Sequence, residues 1–184
     1  NRPFFTTTSP SMDILISSNL ERLLYDLTGS DKEVAGYMNA LSQTGRYEVS
    51  EDVRKQMQET FVSGCCDDSR TLNTIEKVYS GTGYLMDTHT AVACSVLEEY
   101  RAATGDKTVT VVASTASPFK FCDSVLTALG EKELQPGTAI LQQLTAVTGK
   151  PAPKPLASLA GKEVRFTQVT EKEAMTHVVG EMLR

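Results

Sequence analysis

The run Thr108-Val-Thr-Val-Val112 constrains this chain more than any other stretch. All five residues are β-branched, which favours an extended backbone over a helix. The run reads as a buried strand. It stops in a small hydroxyl-rich loop, Ser114-Thr115-Ala116-Ser117, and Pro118 then suits the first turn of a helix expected to reach Leu129 and end at Gly130. Strand, short polar loop and helix form the unit that places ligands at the carboxyl end of a parallel sheet. The loop offers hydroxyls and backbone N–H groups but no carboxylate. That suits a partner taking neutral hydrogen bonds, such as a cofactor ring nitrogen or a phosphate.

A second unit of this kind runs from Tyr84-Leu-Met86 into a helix through Arg101, closed by Gly105. Helical patterns dominate elsewhere. Apolar residues recur at Ile14, Leu15, Leu20, Leu23, Leu24 and Leu27, so a helix is expected from Asp13 to Leu27. Ser30 and Glu33 form a capping box, and Ser50 opens a third helix. A fourth is expected over Arg70–Tyr79, broken at Ser80-Gly-Thr-Gly83. The expected fold class is therefore α/β: a partial, helix-rich three-layer α/β domain with a few parallel strands. Residues 1–135 are assigned to that domain. Residues 136–184 are expected to form a helical appendage, with a stiff Pro-rich connector at 150–155, a strand at Glu163–Phe166 and a second capping box at Thr170 and Glu173.

Net charge is −5 and no basic face is evident, which argues against a nucleic-acid partner. No apolar run approaches the roughly 20 residues needed to cross a bilayer, so no membrane partner is expected. Adjacent Cys65 and Cys66 rarely bridge, and Cys94 and Cys122 fall in expected helices, so free thiols and a cytoplasmic location are expected. Two histidines at no ligand spacing from the cysteines offer no metal site. The chain starts at Asn1-Arg-Pro-Phe-Phe5 without Met, as if cut from a longer protein.

Several residues are candidates for chemistry. Thr115 stands where a strand end presents a hydroxyl; Ser117 is more simply a helix cap. Asp87 and His89, in Asp-x-His, could form an acid/base pair, or Asp87 could merely cap its helix. Lys120 could hold a substrate anion, or be a solvated lysine. The polar stretch Thr6–Asp13 with Ser17-Ser-Asn19 could line a site, or Asp13 could cap a helix. No GxSxG, Walker A loop or complete GxGxxG is present.

Three segments resemble the threonine synthase family, in its microbial and fungal branch. They are Thr8-Ser-Pro-Ser-Met-Asp-Ile-Leu-Ile-Ser-Ser-Asn-Leu-Glu-Arg-Leu-Leu24, Gly83-Tyr-Leu-Met-Asp-Thr-His-Thr-Ala-Val-Ala93 and Ser114-Thr-Ala-Ser-Pro-Phe-Lys-Phe121, in the family's order. Thr88 departs from the pattern, where family members usually carry Pro. The resemblance implies a fold-type-II pyridoxal-phosphate enzyme converting O-phospho-L-homoserine and water to L-threonine and phosphate. The family's Schiff-base lysine, in a Ser-Phe-Lys-Asp-like context, its Gly/Asn-rich phosphate loop and its asparagine beside the cofactor's phenolic oxygen all lie upstream and have no counterpart here. No catalytic residue is therefore expected in this chain, which reads as a C-terminal portion, inactive in isolation. Thr115 resembles the hydroxyl that bonds the pyridine nitrogen, and Ser114 a neighbour lining the pocket. Asp87 and His89 resemble the family's Asp-Pro-His motif beside the ring. Lys120 is assigned to the substrate phosphate, with Asp13 and Asn19 behind. A serine/threonine dehydratase of the same cofactor fold and a non-catalytic helical interaction domain remain alternatives. A truncated sheet would expose an edge, so homo-oligomerisation through that edge is expected.

Overall fold

The computed structural model describes residues 3–183. After a 3₁₀ turn at Pro10–Met12, three helices form a small bundle: α1 (Ser18–Thr28), α2 (Asp31–Thr44) and α3 (Glu51–Thr60). Each begins at a serine. The hydroxyls of Ser17, Ser30 and Ser50 accept from the amides of Leu20, Glu33 and Val53. They satisfy N–H groups that no carbonyl within the helix can reach. Leu24, Val34 and Val53 are buried at the centre, ringed by Leu27, Tyr37 and Met57.

Two expectations for this region change. The first helix starts at Ser18 rather than Asp13, because the Ser17 hydroxyl supplies the cap and Ile14, Leu15 and Ile16 lie exposed ahead of it. The Ser30–Glu33 box closes on one side only, since the Glu33 carboxylate takes the Tyr37 hydroxyl instead of reaching back.

The larger body contains α4 (Asp68–Thr82), α5 (Thr88–Thr104), α6 (Cys122–Ala128), α7 (Ala139–Thr148), the single-turn α8 (Lys154–Ala157) and α9 (Met175–Met182). Helix α4 packs on α5 and α6, and α6 packs on α7. Ile75, Val125, Leu126 and Leu144 are fully buried in one core with Met86, Ala91 and Phe119. Each such aliphatic side chain contributes about 1.5–3 kcal/mol on burial. Helix α4 runs through Ser80-Gly81-Thr82, where a break was expected, and stops at Gly83, whose φ of 73° a Cβ would resist.

The α/β class is overturned. Among the described residues there is no β-strand and no sheet, so there are neither parallel strands nor three layers. The run Thr108–Val112 lies outside any helix or strand and is not buried: Val109 and Val111 are each 92% exposed. β-Branched residues set the backbone of one segment, while a strand also needs a neighbour to complete its ladder. Tyr84–Met86 and Glu163–Phe166 likewise form no strand. The self-association expected through a sheet edge thus has no sheet edge here to use.

The tail also differs. Residues 150–153 are non-helical, but Lys154 and Pro155 open α8, so the connector is shorter than expected. Thr170 caps nothing: its hydroxyl bonds the Glu171 carbonyl, and a 3₁₀ turn at Lys172–Ala174 leads into α9. Pro118 begins a 3₁₀ turn, Pro118–Lys120, before α6.

Candidate functional site

The first turn of α5 is buried. Asp87 and Thr88 have no exposed surface, and His89 and Thr90 are 8% and 5% exposed. Helix N-termini usually sit in water, because their free N–H groups need partners. Asp87 removes that need as the N-cap, with Oδ1 accepting from the amides of His89 (2.9 Å) and Thr90 (3.3 Å). The capping role raised for Asp87 is therefore real, but it accounts for only part of its bonding. His89 Nδ1 lies 3.1 Å from the same oxygen, and the Thr90 hydroxyl donates to Oδ2. Four donors converge on one buried carboxylate.

The other face of His89 reaches across the molecule. Its Nε2 accepts from the Ser11 amide at 3.0 Å. With Nε2 accepting, the ring proton belongs on Nδ1, where Asp87 takes it; this assigns the tautomer from the bonding pattern. The Phe121 ring packs edge-on against the imidazole, centroids 4.8 Å apart at 63°. His89 thereby holds the turn at Pro10–Met12 against α5. A second tie anchors the same N-terminal stretch, as the amide and hydroxyl of Thr8 both donate to Asp68 at the start of α4.

The network continues through Thr90. Its Oγ1 is 2.9 Å from the Ser114 hydroxyl. Thr90 Oγ1 is thus placed to donate both to Asp87 Oδ2 and to Ser114 Oγ, and its single proton serves one of them at a time. Ser114 in turn lies 3.4 Å from the Tyr84 hydroxyl. Tyr84 and Thr90 both point hydroxyls at Ser114 Oγ, and Thr90 links it to Asp87. The three family-like segments thus meet in one hydrogen-bonded chain: Ser11 from the first, Tyr84, Asp87, His89 and Thr90 from the second, Ser114 from the third.

The remaining candidates divide. Thr115 is exposed, beside Ser114, and its hydroxyl bonds nothing among the described residues. It is unengaged, whereas Ser114 Oγ already accepts from Thr90 and Tyr84. Ser117 caps the following turn, accepting from the Phe119 amide at 3.3 Å. Lys120 closes that turn with its side chain exposed. Asp13 is no helix cap, and accepts instead from the Thr7 amide and hydroxyl, both at 2.7 Å. Asn19 lies on exposed α1, bonded to Arg22, and joins none of these groups.

A cleft of about 340 Å³ lies beside the Tyr84 end of the network, lined by Tyr84, Ser117, Pro118, Phe119 and Lys150 among others. A roomier groove, about 670 Å³, runs between α1 and α2 and contains no network residue, so its size carries no chemical weight. Sequence reasoning singled out neither Thr90 nor Tyr84, and reached Ser11 only as part of the Thr6–Asp13 stretch. A hydroxyl three residues after a capping aspartate was a readable signal for Thr90. Ser11 contributes only its backbone amide, so its residue type carries no signal.

A family model described as "Threonine synthase, C-terminal" matches residues 90–179. Threonine synthase of Pseudomonas aeruginosa is 39% identical over 118 residues, which are 64% of this chain and 25% of that one. The chain therefore spans about a quarter of that relative's length. The crystal structure of yeast threonine synthase superposes with a TM-score of 0.80 at 27% identity, covering all of this chain and 37% of that one. A pyridoxal-phosphate-bound threonine synthase from Brucella melitensis gives 0.62 at 37% identity, covering 81% and 31%. The family model, the sequence relative and the whole-chain superposition agree: the chain matches the C-terminal region of threonine synthases.

Proposed function

We propose that this chain supplies the ring-nitrogen side of a pyridoxal-phosphate site in an enzyme that converts O-phospho-L-homoserine and water to L-threonine and phosphate. The observation that carries the reading is the Thr115 hydroxyl, unengaged among the described residues in a loop whose neighbouring Ser114 hydroxyl is tied to the buried Thr90. When bound, pyridoxal phosphate acts as an electron sink for its amino-acid substrate. A neutral hydroxyl fits the ring nitrogen. A carboxylate there would hold that nitrogen protonated, strengthening the sink and widening the range of side reactions. The donor set of this loop, hydroxyls without a carboxylate, matches that requirement.

The remaining roles follow. Thr115 bonds the ring nitrogen, and Ser114 supports the loop rather than touching the ligand. Asp87 and His89 orient the first turn of α5 and hold the Ser11 turn against it. Lys120, exposed and in no ion pair among the described residues, offers a cation for the substrate phosphate. The covalent cofactor lysine is assigned to no residue of this chain. Four free cysteines accord with a cytoplasmic enzyme.

The test is a substrate panel on the product of the longest reading frame encoding this chain. Phosphate and threonine released together from O-phosphohomoserine support the reading. Release of 2-oxo acids from serine or threonine instead would assign a dehydratase. No turnover of any of them, with no cofactor bound, would leave an interaction domain. The 184-residue chain alone is expected to retain no pyridoxal-phosphate absorbance after dialysis, and retention would contradict the assignment of the lysine elsewhere.

A further inference from the structure

The loop carrying Thr115 has few anchors. Upstream, the last tether is Arg101, which donates to the Thr108 carbonyl (2.9 Å) and the Thr110 hydroxyl (3.0 Å). Downstream, the chain is fixed again at Ser117, which caps the Pro118 turn above the buried Phe119. Between them, residues 111–116 make no backbone hydrogen bond to the rest of the protein among the described residues. Their polar ties are both at Ser114: the 2.9 Å bond to Thr90, and a longer contact of 3.4 Å to the half-exposed Tyr84. The Tyr84 contact lies beyond the range of a good O–H···O bond, so the Thr90 bond dominates.

Thr90 is built to be rigid. It is 5% exposed, in the first turn of a long helix, and Asp87 holds both its amide and its hydroxyl. A β-branched side chain in a helix has few rotamers, and the Asp87 bond selects one of them. We propose that Thr90 is the positioning residue of this site: through Ser114 it fixes where the Thr115 hydroxyl stands. The role in catalysis rests on the reading of Thr115 above; the mechanical role does not.

Two arms test it. In the 184-residue chain, backbone ¹⁵N relaxation reads loop order directly. Thr90→Val keeps the shape and removes the hydroxyl. It should drop order parameters at Ser114 and Thr115 from near 0.85 to below about 0.6, with α5 unchanged. Thr90→Ser keeps the hydroxyl and should restore the order. Ser114→Ala cuts the same bond from the exposed side, so it gives the answer even if Thr90→Val fails to fold. Unchanged order in Ser114→Ala or Thr90→Val, or equal mobility in Thr90→Ser and Thr90→Val, overturns the proposal. In the full-length holoenzyme, Thr90→Val should lower kcat about tenfold or more with KM for O-phosphohomoserine little changed, rescued by Thr90→Ser. A mobile loop with unaltered kcat in both Thr90→Val and Thr115→Val would overturn the ring-nitrogen reading and leave the positioning role standing. A mobile loop with kcat lowered in Thr115→Val alone would overturn the catalytic importance of Thr90.

Discussion

Thr88 offers a direct way to gain stability, because it carries the one buried side-chain oxygen among the described residues without a hydrogen-bond partner. The residue has no exposed surface, so its Oγ1 was stripped of water on folding and regained nothing. Leaving a buried hydroxyl unpaired costs about 1–3 kcal/mol. Thr88→Val replaces that oxygen with a methyl of nearly the same shape. Its neighbours already tolerate the volume, so the variant should gain about 1–2 kcal/mol. Thr88→Pro should also be accommodated. Thr88 is the first residue of α5, its amide bonds nothing among the described residues, and Asp87 before it sits at φ −80°, ψ 168°, in the extended region that proline favours in its predecessor. Proline adds about 0.4–1 kcal/mol by restricting the unfolded chain, but forfeits some packing at the site. At this chain length each kcal/mol moves Tm by roughly 2–4 °C. Thermal and urea unfolding of the two variants beside the parent chain measure the effect. A Thr88→Val variant no more stable than the parent would refute the reasoning, because it would mean that the hydroxyl is satisfied in solution.

Asp87→Ala should be the most damaging change in the network, costing roughly 3–5 kcal/mol in urea unfolding, since four donors lose their acceptor at once. Gly64→Ala should cost about 1–3 kcal/mol, because the new Cβ would stand 2.7 Å from Cγ1 of Val96, a stiff branched side chain; pairing it with Val96→Ala should recover part of the loss. Burial, aided by the neighbouring Asp123 carboxylate, pushes the Cys122 thiol up to about 11. The unfolded chain releases that proton from pH 9 upward while the folded chain holds it. The contribution of Cys122 is therefore full below pH 9 and is lost as pH rises through 11, worth roughly 3 kcal/mol in all, and Cys122→Ala should flatten that part of the stability profile.

Much of the helical framework was legible in the sequence because its signals are local. Serines at 30 and 50 announce helix starts through hydroxyls that reach amides three residues on, whereas Ser17, which does the same for α1, was read as lying inside a helix begun at Asp13. Gly105 marks a helix end for an equally local reason, the left-handed backbone. The α/β expectation failed because β-branched composition reports a preference of one segment, and Thr108–Val112 meets no second segment here to pair with. The Thr170 capping box failed because its motif is short and lies on a tail whose residues are mostly exposed. At the site, Asp87 and His89 were legible as a motif, but the contact between His89 and Ser11 spans 78 residues of sequence and uses a backbone amide. Thr90 was overlooked because a threonine inside an amphipathic helix looks like any other until Ser114 is seen beside it.

The most direct test of the account is the response of the full-length enzyme to substitution at Thr115. Thr115→Val keeps the size of the side chain and removes its hydroxyl; Thr115→Ser keeps the hydroxyl. The expected result is a fall in kcat with O-phosphohomoserine of about 100-fold for Val, with pyridoxal phosphate still bound, and near-complete recovery for Ser. A Thr115→Val enzyme that turns over like the parent would contradict the assignment of the ring-nitrogen contact to this loop.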